Sequence, residues 1–143
     1  MSISMELSNL RREAVRDYFR FADTQDGRWF DLFTDDAELT FPKFGTVKGK
    51  DGLLRFVQKM GMIVRKLEHD IDSLSFVEAG DTMVVEGGES GELADGTRFP
   101  DGTVSRGRFC SVYSFEGALI RSLRIYTDPD FASKDSARVE AFK

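Results

Sequence analysis

VRDYFRFADTQDGRWFDLFTDDAELTFPKFG, from Val15 to Gly45, changes its periodicity twice. Before Asp23 the apolar positions follow a helical spacing. Leu7, Leu10, Ala14, Tyr18 and Ala22 recur every three or four residues, Val15 and Phe21 widen the stripe, and Arg11, Arg12, Glu13, Arg16 and Asp17 fall mostly away from it. Asp23-Thr24-Gln25-Asp26-Gly27 closes this helix. Asp26 is placed to cap a second, short helix that carries Trp29, Phe30 and Phe33, because its carboxylate can accept free backbone N–H groups. Ala37-Glu38-Leu39-Thr40-Phe41 then alternates as a strand does, with Leu39 and Phe41 on one face, until Pro42 stops it.

Downstream, Leu53, Phe56, Val57, Met60, Val64 and Leu67 predict a third helix, with Asp51 near its positive end. The remainder reads as sheet, with candidate strands at Glu68–Val77, Thr82–Leu93, Val104–Phe115 and Leu119–Asp128. Gly80-Asp81, Asp95-Gly96, Asp101-Gly102 and Glu116-Gly117 supply the turns that separate or interrupt them. Helices first and antiparallel strands afterwards argue for an α+β fold. Residues 1–143 form a single domain with its core at about 7–131, and the polar tail after Phe131 is expected to fray.

Composition narrows the functions. A net charge of -5 and the lack of Lys/Arg runs among aromatics argue against nucleic acid. A single cysteine, Cys110, cannot close an internal disulfide, and with a single histidine, His69, it cannot build a zinc site of several Cys and His ligands. The opening MSISMELSNLRREA has no secretory pattern, and no apolar run reaches membrane-span length, so a cytoplasmic protein with no membrane partner is expected. Thirteen phenylalanines suit a core or pocket lined by aromatic carbon.

The pattern from Asp26 to Phe41, together with Gly107-Arg108-Phe109 and Leu123-Arg124-Ile125-Tyr126-Thr127-Asp128-Pro129-Asp130, resembles the SnoaL-like, ketosteroid isomerase-like and nuclear-transport-factor-2-like superfamily. The likeness runs over roughly Leu7 to Phe131. It implies a cone-shaped roll: three N-terminal helices packed on a strongly curved antiparallel sheet that encloses an apolar pocket. It also implies a homodimer joined through the outer sheet face, a hydrophobic oxygenated ligand, and no cofactor or metal. Ketosteroid isomerases place a tyrosine donor where Tyr18 stands, but their base position carries Phe41 and their second donor position falls near Ser111. The Asp-Arg-Asp set of limonene epoxide hydrolase falls at Ile125, Glu86 and Gly88, so it is absent. Scytalone dehydratase has a histidine where His69 stands, with Asp23 or Asp26 as its potential carboxylate partner.

Three residues are candidate proton carriers or donors. Tyr18 is either a core tyrosine or a hydroxyl that polarises a ligand oxygen. His69 is either solvated at a strand start or a base whose tautomer a distant carboxylate fixes. Glu86 is expected to face inward, where an apolar surround would raise its pKa, with the nearby glycines leaving room for a ligand. The alternative is that Glu86 and Glu89 are both exposed and the glycines mark a bulge. Trp29, Phe33, Phe41, Val57, Met60, Phe109 and Ser111 are the expected pocket lining. Arg108, Cys110, Arg124 and Tyr126 are expected on the outer face, Cys110 as a bystander thiol. The function expected is binding of a small hydrophobic oxygenated molecule, with isomerase, cyclase or dehydratase chemistry by proton transfer. A non-catalytic carrier and a protein-association domain are the alternatives.

Overall fold

The computed structural model describes residues 4–143. Helix α1 (Met5–Thr24) starts at Ser4, whose side chain accepts the Leu7 N–H, and ends at Gln25 in the left-handed conformation. A 3-10 helix (Gly27–Leu32), capped by Asp26, leads into β1 (Phe33–Phe41) and β2 (Gly45–Lys48). Helix α2 (Gly49–Ile63) runs directly into β3 (Val64–His69). Then come β4 (Ser75–Ala79), β5 (Thr82–Leu93), β6 (Arg98–Phe99), β7 (Arg108–Glu116), β8 (Leu119–Thr127) and a short α3 (Ser136–Glu140). None of the described helices is long and apolar enough to cross a membrane.

The sheet runs β2-β1-β8-β7-β5-β3, with β4 and β6 also paired to β5. Its pairs are antiparallel except β1 with β8, which is parallel. β5 makes the curve by changing partners. Its first half lies between β4 and β7, and its second half between β3 and β6. Glycines mark the changeover because neighbours occupy the place of their side chains. A Cβ on Gly87 would stand 2.7 Å from Leu74 Cδ2 and 2.8 Å from Phe109 Cζ, and one on Gly91 would meet the Lys66 carbonyl. The space beside these glycines is filled by protein, not left for a ligand.

The sheet's concave face holds Leu39, Phe41, Val85, Phe109, Tyr113 and Leu123, and the apolar face of α1 (Ala14, Val15, Tyr18, Phe19) packs into the same core. The structure departs from the sequence expectations at several points. The third helix stops at Ile63, and Val64 and Leu67 belong to β3. The strand expected at Glu68–Val77 divides into the end of β3 and β4, with a 3-10 turn between them. Arg11 is 3% exposed because its guanidinium serves backbone carbonyls at two hairpin turns. Part of the tail forms α3.

Candidate functional site

One large cavity, about 550 Å³, opens between the end of α1, α2 and the concave face of the sheet. Tyr18, Trp29, Phe41, Val57, Met60, Phe109 and Ser111 are in its wall, as are Asp23, His69 and Glu89. Phe33 is not. As the first residue of β1, its ring lies in the core behind the cavity, 4.7 Å from the Trp29 ring and 6.2 Å from that of Tyr18.

The polar end of the cavity is built from three elements. Asp23 stands in the last turn of α1, where the helix dipole opposes a carboxylate. What offsets this is His69, the final residue of β3: its backbone N–H donates to Asp23 Oδ2 at 2.7 Å, and its Nδ1 lies 2.6 Å from Asp23 Oδ1. A carboxylate only accepts, so Nδ1 carries the proton and Nε2 is left facing away from Asp23. There Nε2 is 3.5 Å from Glu89 Oε2, an ion-pair distance longer than a good hydrogen bond. Glu89 is directly opposite His69 in the β3–β5 ladder, and its Oε1 accepts from Thr127 Oγ1 at 3.0 Å. The imidazole is 6% exposed, held between the Phe19 and Phe109 rings.

Burial is the strongest single influence on His69 and disfavours the imidazolium. The hydrogen bond to Asp23 and the proximity of Glu89 together outweigh it and hold the His69 pKa above its ordinary 6.5. Burial first, and then the Glu89 and Asp23 charges, push the Tyr18 phenol well above its usual range, so it remains a neutral donor. Asp26 takes no part in the cluster. It caps the 3-10 helix and pairs with Arg28 at 2.7 Å. Among the described residues, no group of three or more His, Cys, Asp or Glu side chains is arranged to hold a metal ion.

Glu86 is corrected. It pairs with Ser75 and Cys110 in the ladders and is exposed on the convex face. Met83 and Val85 commit the odd-numbered positions of β5 to the core, so strict alternation turns residue 86 outward and brings Glu89 in. The signal for Glu89 was in that alternation. Arg108 and Arg124 are exposed, and Tyr126 is 55% exposed. The Cys110 thiol is pushed up in pKa by burial and by Glu86, and pairs across the ladder with both Glu86 and Tyr126.

The SnoaL-like domain family model matches residues 14–123. The chain belongs to the SnoaL-like domain family. Solved structures share its fold at low identity. An NTF2-like protein from Anabaena variabilis is 19% identical over 92% of this chain and 96% of its own, with a TM-score of 0.72. A putative polyketide cyclase from Sinorhizobium meliloti is 19% identical over 80% of this chain and 94% of its own, with a TM-score of 0.64. A protein with a ketosteroid isomerase-like fold from Catenulispora acidiphila, in complex with trimethylamine, is 16% identical over 83% of this chain and 88% of its own, with a TM-score of 0.69. Among curated proteins none matches by sequence.

Proposed function

We propose that this SnoaL-like domain binds a small, hydrophobic, oxygenated molecule in the cavity and moves a proton on it. His69 is the acid–base group, Asp23 fixes its tautomer, and Tyr18 donates a hydrogen bond to the ligand oxygen. The observation that carries this reading is the buried Asp23–His69–Glu89 cluster in the wall of an otherwise largely apolar cavity. A raised pKa favours the imidazolium near neutral pH, so Nε2 can give its proton to a ligand oxygen and, once neutral, take one from an adjacent carbon. The two carboxylates stabilise the charged ring, which is itself buried. Isomerisation, cyclisation and dehydration all need such a step, and relatives named as cyclases and isomerase-like proteins share the fold.

A ligand carrier is the second reading. It is favoured by Phe41 and Ser111, which occupy the places where the ketosteroid isomerase resemblance puts a base and a second donor. The convex face, with Val77 63% and Tyr126 55% exposed, is the surface we propose for pairing with a second copy of the chain. Equilibrium sedimentation tests that pairing, and a monomer at high concentration would exclude it.

Proton transfer is tested by incubating the protein with hydrophobic ketones and hydroxyketones in heavy water and following deuterium uptake or loss of water by mass spectrometry. The wild-type chain is expected to act on at least one compound, and His69→Gln to slow it by about 100-fold or more. Binding of the panel with neither change would replace the enzyme reading with the carrier.

A further inference from the structure

The charges in the cavity wall are unbalanced. Its buried ionisable carboxylates are Asp23 and Glu89, against the single imidazole of His69. The cluster is therefore negative by one charge when His69 is protonated and by two when it is neutral. Other charged residues in the wall do not correct this. Arg65 and Lys66 are more than half exposed, and their partners are Glu92 and Glu68. Asp26 is occupied by Arg28.

Glu89 is the under-supplied member. Asp23 receives two short hydrogen bonds from His69. Glu89, with only 11% of its side chain exposed, receives one from Thr127 at 3.0 Å and has His69 Nε2 at 3.5 Å. An ionised carboxylate has room for about four donors, and leaving a buried one short of them is costly. The surrounding wall is aromatic, with Phe19 and Phe109 beside the cluster and Tyr18, Trp29, Phe41 and Phe56 beyond. Ring faces attract cations and cannot pair with anions.

We propose that the ligand of this cavity carries a protonated amino group on its hydrophobic body, and that Glu89 receives that group against the aromatic wall. The inference rests on the cavity being the ligand site and names the chemical class it selects. A ligand carboxylate would instead place a third anion beside two, where the low local dielectric makes repulsion strong.

The test is isothermal calorimetry at pH 7 with three probes sharing one aromatic body: 2-(1-naphthyl)ethylamine, 2-(1-naphthyl)ethanol and 1-naphthylacetate. The amine is expected to bind about tenfold more tightly than the alcohol, and the carboxylate more weakly than both. In Glu89→Gln the advantage of the amine over the alcohol should vanish. Glu86→Gln, on the opposite sheet face, should keep it. If Glu89→Gln does not fold, the N-acetyl derivative of the amine is measured on the wild-type chain, and it should lose the tenfold advantage with the charge. A carboxylate that binds as tightly as the amine, or an amine no better than the alcohol, overturns the inference and leaves the cavity as the ligand site. An advantage that survives in folded Glu89→Gln also overturns it. Binding by none of the three overturns both.

Discussion

Helix α1 carries a buried charge cluster near each end. Arg11 and Asp23 are twelve residues apart, about 18 Å along the axis, and the two are completed in opposite ways. Arg11 Nε donates to the Gly117 carbonyl at 2.8 Å, Nη1 to the Gly80 carbonyl at 3.4 Å and Nη2 to Asp81 at 3.0 Å, and its guanidinium lies over the Phe115 ring. Every arm of that cation has a partner, and the partners are the tips of the β4–β5 and β7–β8 hairpins. At the other end, two carboxylates share one imidazole beside an open cavity, and Glu89 retains acceptor capacity. A saturated buried charge holds elements together. An unsaturated one beside a cavity can act on what enters it.

The largest effect that distinguishes the two ends is expected from Arg11→Met. It leaves two turn carbonyls without their donor and should cost about 3 kcal/mol in urea unfolding, while the titration of His69 stays as in the wild type. A shift in that titration would show the two ends to be coupled. Gly91→Ala comes next, at about 2 kcal/mol, because its Cβ would meet the Lys66 backbone. Gly87→Ala should cost less, since Leu74 and Phe109 present the ends of side chains that can turn aside. Equal costs would mean that the change of partners in β5 does not depend on a close backbone approach.

The His69 end should show itself in the pH dependence of stability. Its folded pKa is above the ordinary 6.5, so its stabilising contribution is complete below that value and is lost as pH rises through the raised folded pKa. Unfolding free energies of the wild type and His69→Gln should therefore converge toward alkaline pH in that component, and the variant should have the flatter profile. A parallel pair of profiles would contradict the cluster. The smallest effect belongs to Glu86→Gln, expected within about 0.5 kcal/mol of the wild type and without influence on ligand affinity.

The parts of this molecule that could be read from sequence are those where a single periodicity ruled. Ala14, Val15 and Tyr18 disclosed the buried face of α1, although Leu10 on the same stripe is 52% exposed and Phe19, outside it, is buried; the alternation at Leu39 and Phe41 disclosed β1. Arg11 was misread because its charge outweighed its place in the spacing Leu7, Arg11, Ala14, Tyr18, which is that of a buried stripe. The end of α2 was hidden because Val64 and Leu67 continue a helical stripe while also fitting a strand. Within the cavity wall, Tyr18, Trp29, Phe41 and Phe109 are where the sequence reading expects them, Phe33 is not, and Phe19 and Phe56 line it without having been singled out for it; His69 had Asp23 among the partners named for it. Glu89 was missed through a one-residue error in facing, at a place where glycines on both faces of β5 blur the alternation. The cross-strand pairing of His69 with Glu89 is a long-range property of register, and no local pattern encodes it.

His69 is the only histidine in the chain, so its ring can be followed without ambiguity by nitrogen-15 and proton NMR across pH. An imidazole held between Asp23 and Glu89 should titrate above 6.5 and show a slowly exchanging, strongly deshielded Nδ1 proton. A ring that titrates at or below 6.5, with its Nδ1 proton exchanging freely with water, would contradict the buried cluster and the chemistry assigned to it.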